Sequence, residues 1–222
     1  MENIIRQCKE LYSIAFSEDG AFCDMLFSLF SKDLRYITEA KQVVCMAFCI
    51  DVFTEDKKGK YIYAVATHPN FRNKGYMSRL FEKIEKEFKK DYFFLCLHPA
   101  SENLIELYRK KGFALNLCKS ITGVAEKPCI LITNESQLKE VLKKVLPKNS
   151  IEYSENYLKL LLLYTAVYCD SKENPTKLFI EQKNGEVLEC FSKQNLKTSC
   201  RSMSKPLKDI NIDNYYFAVT LE

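Results

Sequence analysis

The chain has no tryptophan, only six glycines and only two histidines in 222 residues. So little glycine excludes a low-complexity or linker-rich protein. Ten cysteines are present, yet none stands in a C-x-x-C pair and neither histidine lies near a cysteine pair. That argues against a zinc centre, and no metal is expected. A long hydrophobic run is also missing. The longest, Tyr157 to Cys169, contains Lys159 and is too short to cross a bilayer. Met1 to Gln7 lacks the apolar stretch of a secretion signal. Nor is there an excess of one charge. Lys and Arg number 33 against 29 Asp and Glu, a net charge of +4, and the basic residues form no stripe interleaved with aromatics. A nucleic-acid partner is therefore not expected, and neither is a membrane.

What is there suits a packed globular protein of one large domain or two small ones: 47% hydrophobic and 13% aromatic residues. Cys45 and Cys49 lie in the apolar run Val43–Phe53, and Cys96 in Tyr92–Leu97, as reduced core residues do. The expected setting is a reducing cytoplasm.

Apolar residues at helical spacing open the chain, first Ile4, Ile5, Cys8, Leu11, Tyr12, Ala15 and Phe16, then Phe22, Met25, Leu26, Leu29 and Phe30. Arg35–Glu39 and Val43–Phe53 read as a hairpin, and Tyr61–Thr67 as a further strand. Beyond Gly75, Met77, Leu80, Phe81, Ile84 and Phe88 share one helix face. Tyr92–Leu97 is a short strand, Glu102–Lys111 a helix closed by Gly112, and Phe113–Ser120 another strand. This alternation predicts an α/β fold, a mixed sheet flanked by helices. After about Val124 the pattern restarts, with helices over Ser136–Leu146 and from Ser154. The strands Lys177–Gln182 and Glu186–Phe191 flank Lys183-Asn184-Gly185, a hairpin signal. Tyr215–Leu221 reads as a last strand. The expected division is 1–123 and 124–222, the second part an α+β half-domain. Two helices and a hairpin echo the first 53 residues, so that part is either a truncated second copy of the first or an unrelated extension.

The most informative stretch runs from Tyr61 to Phe88. A strand feeds a basic, glycine-containing loop that opens a helix, an arrangement suited to holding an anion. The helix N-terminus offers unpaired N–H groups and a partial positive charge. Gly75 permits a positive φ or a close ligand approach, and Arg72 and Lys74 add cations. A phosphate-bearing ligand is the expected occupant.

Arg72-Asn73-Lys74-Gly75 resembles the acetyl-coenzyme-A pyrophosphate loop of the GNAT N-acetyltransferase family, R/Q-x-x-G-x-G/A. His98 to Phe113 resembles the family's second cofactor motif, which ends in Y-x-x-x-G-F. The resemblance covers roughly residues 1 to 122 and departs from the pattern at Met77, where Gly or Ala is usual. That side chain either crowds the diphosphate or turns into the core. The resemblance implies a GNAT-like fold and an acetyl-CoA cosubstrate. Its pyrophosphate would be held by backbone groups of Asn73, Lys74, Gly75, Tyr76, Met77 and Ser78 and by Arg72. Ala66, Thr67 and Asn103 would contact pantetheine, and Tyr108 would give a proton to the departing thiolate. A backbone N–H near Ala66 and Thr67 would polarise the thioester carbonyl.

The expected function is transfer of acetyl to a primary amine, small molecule or peptide, in a ternary complex, by a monomer or homodimer. The alternative is a non-catalytic acyl-CoA-binding regulatory module. For the base, Glu39 and Asp51 are candidates that nothing separates, with the terminal carboxylate of Glu222 further out. Tyr36, Tyr61 and Tyr63 are candidates for an acceptor pocket.

Overall fold

The computed structural model describes every residue except 1, 19, 121–129, 183–186, 193–197, 214, 216 and 218–222. Helices α1 (Glu2–Phe16) and α2 (Ala21–Phe30) bury Cys8, Leu11, Tyr12 and Cys23, Leu26, Phe27, Phe30 along their apolar stripes. Strands β1 (Leu34–Glu39), β2 (Gln42–Phe53) and β3 (Lys58–Thr67) follow as an antiparallel meander. The β1–β2 turn sets Ala40 and Lys41 at φ 46° and 67°, the doubly left-handed form that fits the twist of a tight hairpin. Helix α3 (Tyr76–Phe88), β4 (Phe94–Leu97), α4 (Glu102–Arg109) and β5 (Ala114–Ser120) complete the first region.

The second region holds β6 (Ile130–Ile132), α5 (Glu135–Val145), the two-residue β7 (Glu152–Tyr153), α6 (Glu155–Tyr164), β8 (Thr165–Cys169), β9 (Lys177–Gln182), β10 (Val187–Ser192) and β11 (Thr198–Pro206). Strands β8, β9 and β10 form a second antiparallel meander, and β6 pairs with β8. The first sheet runs β1-β2-β3-β4-β11-β5, with β7 paired to the end of β2. The second runs β10-β9-β8-β6. A strand from beyond residue 123 thus lies inside the first region's sheet.

Side chains alternate across the first sheet. Met46, Phe48, Ile50, Tyr61, Phe94 and Cys96 share one core with residues of α1, α2, α5 and α6, here the first face. Cys45, Ala47, Cys49, Ile62, Leu95 and Leu97 share another with residues of α3 and α4, the second face. The strand β2 is covered on both sides, which is why it reads as an unbroken apolar run. Cys8, Cys23, Cys45, Cys49, Cys96 and Cys169 are buried.

The long apolar run Tyr157–Cys169 divides into α6 and β8 at Thr165, whose hydroxyl donates to the Leu161 carbonyl at 2.8 Å. Of the strand expected over Tyr215–Leu221, Tyr215 and Phe217 are in no regular element, and the remainder lies outside the described residues. So do the turn residues Lys183, Asn184 and Gly185, although β9 and β10 pair antiparallel on either side. Among the described residues no helix is long and apolar enough to cross a membrane.

Candidate functional site

The site begins where β3 and β4 part. Their parallel pairing covers only Gly59–Tyr61 and Phe94–Cys96. Gly59 lets them join, because a Cβ there would stand 2.4 Å from the Phe94 ring. From Ile62 onward the edge of β3 that faced β4 borders a gap. On its other edge the register with β2 slips between Met46 and Phe48. Ala64 takes φ 52° there, a bulge built on a residue that disfavours it. The strand bends at the gap and leaves backbone donors and acceptors along 62–67 for an extended ligand.

Ala66 is buried in the first face. The Thr67 hydroxyl lies 3.3 Å from the Cys45 sulfur, and its carbonyl accepts from Arg72 Nε at 3.3 Å. The loop that follows opens with a short turn, Pro69–Phe71. Asn73 (φ 60°) and Gly75 (φ 80°) both enter the left-handed region, so the chain curls tightly before α3. A Cβ on Gly75 would meet nothing within 4 Å; the glycine faces open space and serves the backbone conformation. The first helical bond of α3 runs from Arg79 N to Gly75 O at 3.1 Å. The N–H groups of Tyr76, Met77 and Ser78 therefore have no acceptor within the helix. Lys74 Nζ donates to the Asn70 carbonyl at 3.0 Å. Met77 packs on the second face beside Leu80, Phe81 and Ile84, the core-facing of its two readings. Tyr76 has its phenol raised, first by desolvation and then by a hydrogen bond with Glu39.

A cation that the sequence reading did not single out joins this loop. Lys111 Nζ donates to Ser78 Oγ in the first turn of α3. Its position follows from the end of α4. Gly112 (φ 84°) donates to the Arg109 carbonyl at 2.8 Å, and Phe113 N to the Tyr108 carbonyl at 3.2 Å. This paired closure at a left-handed glycine turns the chain sharply and leaves Lys111 against α3.

On α4, Ser101 is the N-cap and Asn103 is exposed in the first turn. Tyr108 is buried, edge-on to Phe81 and Phe113 at ring separations of 6.0 and 6.1 Å. Desolvation, then proximity to Cys45, pushes its phenol up to about 12. Cys45 is the residue the Thr67 hydroxyl touches, so the end of β3 and the tyrosine of α4 meet over one thiol. Among the described residues no protein group hydrogen-bonds the Tyr108 hydroxyl.

Of the base candidates, Asp51 is displaced. Its carboxylate lies 2.8 Å from the ammonium of Lys60, which is buried under the rings of Phe88 and Tyr92 at 4.8 and 4.7 Å. That cluster sits at the start of β3, the end opposite the gap. Glu39 stands at the site end of the sheet, against Tyr76. Glu222 lies outside the described residues. Tyr61 is a core residue, packed on Tyr153, Tyr157 and Phe217. Tyr63 hydrogen-bonds Tyr12 and is pushed up to about 12, chiefly by desolvation. Tyr36 lies on β1, with the Lys83 ammonium 5.4 Å over its ring. Beyond the end of β4, His98 Nδ1 and the hydroxyl of fully buried Ser202 on β11 are 2.8 Å apart.

The sequence matches the acetyltransferase (GNAT) family over residues 4–113. No curated protein matches it significantly. Among solved structures it resembles a GCN5-related N-acetyltransferase from Anabaena variabilis with a TM-score of 0.68, at 13% identity over 94% of this chain and 71% of that one. It also resembles Eis1 from Mycobacterium abscessus (TM-score 0.60, 9% identity, 86% of this chain and 57% of that one). A GCN5-related N-acetyltransferase from Kribbella flavida is a third neighbour (TM-score 0.58, 11% identity, 95% and 63%). At such identities the likeness carries the fold.

Proposed function

Because residues 4–113 of this chain belong to the acetyltransferase (GNAT) family, we propose that the protein is an N-acetyltransferase that moves acetyl from acetyl-CoA to a primary amine. One observation carries this reading. The curled loop before α3 and the open edge of β3 border one gap, and Tyr108 lies near Cys45, whose sulfur is 3.3 Å from the Thr67 hydroxyl at the end of that edge. The diphosphate would take the N–H groups from Asn73 to Ser78, with Arg72 and Lys111 supplying charge. The pantetheine arm would lie along β3 past Ala66 and Thr67, within reach of Asn103. Tyr108, whose proton is held tightly, would deliver it to the sulfur as the carbon–sulfur bond breaks. Both substrates would be held in one cleft, where orientation lowers the barrier to direct attack.

The same proposal covers the second region. Behind β6, helices α5 and α6, with the short β7 between them, lead into the meander β8-β9-β10; two helices followed by a three-stranded meander also open the first region, which favours a truncated second copy over an unrelated extension.

Acetyl-CoA at one hundred times its dissociation constant stabilises a native protein by about 2.7 kcal/mol, roughly 5–10 °C for a chain of this length. A thermal melt that does not move at millimolar acetyl-CoA would sink the proposal. Stabilisation without thiol release across a broad amine library would instead indicate a regulatory acyl-CoA-binding module.

A further inference from the structure

On the acetyl-transfer reading above, we propose that Lys205, supplied by the second region, is a positioning residue for the diphosphate cradle. It anchors the backbone of Lys111 so that this lysine's ammonium stands at the first turn of α3. The cradle is then incomplete within the matched segment, 4–113, and takes a part from β11.

Strand pairing puts Lys205 where it can act. Across β11 and β4, Met203 pairs with Leu97 and Lys205 with Leu95. Met203, Leu97 and Leu95 all belong to the second face. Partners directly opposite in a sheet, and residues two apart in a strand, share a face. Lys205 therefore points toward α3 and α4. Its ammonium donates to the Lys111 carbonyl at 2.7 Å and lies 2.6 Å from Glu85 Oε1 on α3. Its stem crosses Gly112, where a Cβ would stand 3.2 Å from Lys205 Cε and 3.3 Å from Nζ. Besides its positive φ, Gly112 leaves room for this side chain.

The carbonyl that Lys205 holds lies just past the end of α4, where carbonyls have no donor within the helix. A cation there also suits the helix dipole. Lys111 is consequently held at both ends, its carbonyl by Lys205 and its ammonium by Ser78 Oγ. Ser78 and Glu85 are about two turns apart on one face of α3. The end of α4 is strapped to that face at two points, directly at the first turn and through Lys205 further along. The ion pair is partly exposed, 22% for Lys205 and 29% for Glu85, and such pairs add little stability. What the strap supplies is placement. A lysine ordered before the ligand arrives binds a phosphate with less loss of side-chain freedom than one the ligand must order.

Lys208 offers an internal comparison. It also comes from the second region and also donates to a carbonyl beyond a helix, that of Lys90 after α3, at 2.8 Å. That end of α3 is opposite the cradle.

A binding cycle on the full chain provides the test. The probe is acetyl-CoA, titrated calorimetrically below the melting transition. Lys205→Met should weaken binding about three- to tenfold, the worth of one ordered side chain. In a Lys111→Met background the same change should leave affinity unmoved, because Lys205 acts through Lys111. Lys208→Met should bind as wild type does, whatever it does to the melt. With an acceptor from the amine screen, Lys205→Met should raise KM for acetyl-CoA by the same factor and leave kcat within about twofold. If Lys205→Met does not fold, Glu85→Gln, which removes only the counter-charge, replaces it in the cycle. About threefold weakening is then expected, again absent without Lys111. Binding within about 1.5-fold of wild type for the variant used overturns the proposal. So does a loss that adds in full to that of Lys111→Met, or an equal loss in Lys208→Met, since either is general loosening. Wild type that binds no acetyl-CoA would remove the acetyl-transfer reading itself, and this proposal with it.

Discussion

At the scale of single residues, the described site depends on groups whose protonation is fixed by burial. Tyr108 illustrates this. Its phenol is pushed up to about 12 by desolvation, so it keeps its proton over the whole range in which a protein is handled, as the proposed role of proton donor requires. Tyr108→Phe should lower kcat by about 10²-fold, the usual scale of acid catalysis. It should leave the acetyl-CoA melting shift unchanged, because the ring keeps its contacts with Phe81 and Phe113. Raised phenols also have a stability consequence with a definite sign. The unfolded tyrosine ionises near 10, whereas folded Tyr108 and Tyr63 hold their protons to about 12. Their contribution is complete below pH 10 and is lost as pH rises from 10 toward 12. The buried thiols of Cys8, Cys49 and Cys96, raised by desolvation, act with the same sign from the unfolded thiol value of about 8.5 upward. Urea midpoints should therefore begin to fall near pH 8.5 and fall more steeply by pH 11. Lys111 is the complementary case, since the proposed function has it neutralise a diphosphate. Lys111→Met should weaken acetyl-CoA binding about tenfold or more, the worth of a charged hydrogen bond. Stability should change little by comparison. The sequence offered no strong sign of this lysine, because a basic residue before a C-terminal glycine reads equally well as a complement to the helix dipole.

At the scale of elements, the gap is made by two glycines with opposite duties. Gly75 holds φ 80° and faces open space. Alanine there meets no atom, and only the backbone preference of about 1–2 kcal/mol resists it. Gly75→Ala should melt within a few degrees of wild type yet bind acetyl-CoA distinctly less well, because the relaxed loop moves its N–H groups. Gly59→Ala forces a methyl into the Phe94 ring and should cost about 1–3 kcal/mol or more. The loss would appear as a lower urea midpoint. Elements with a clean period were legible from sequence. Leu80, Phe81, Ile84 and Phe88 mark α3, and the motif of α4 carried Tyr108 with it. The strand β11 was not legible. Thr198–Pro206 is rich in serine and lacks apolar alternation. Its buried hydroxyls are satisfied instead by His98 and by Asn116, whose Oδ1 accepts from Ser204 at 2.7 Å. Hydrophobic pattern cannot reveal a strand whose burial depends on hydrogen bonds to residues about a hundred positions away. For the same reason the His98–Ser202 pair was invisible, and Asp51 looked available until Lys60 was seen beside it.

At the scale of the whole molecule, the restart near Val124 marks a unit of pattern, while the packing joins the two regions. The first sheet takes β11 between β4 and β5 and β7 against β2. Tyr61 of β3 meets Tyr153, Tyr157 and Phe217 with ring centroids 6.3, 6.0 and 5.0 Å away. These rings come from β7, α6 and the segment after β11, so one aromatic cluster holds the regions together directly behind the gap. A fragment ending at residue 123 would leave β4 and β5 with no strand between them and would expose the first face where α5 and α6 pack. Both are conditions for aggregation rather than folding. The full chain should therefore unfold in one transition, seen alike by probes in the two regions. Phe217→Ala provides the direct test. Its side chain is fully buried, and removing a buried phenylalanine costs about 3–5 kcal/mol. If the regions share a core, a fluorescent label on α3 and another on α5 should report the same lowered urea midpoint. A drop seen by the α5 label alone would mean that the first region stands by itself, and that the cluster behind the gap does not couple the two.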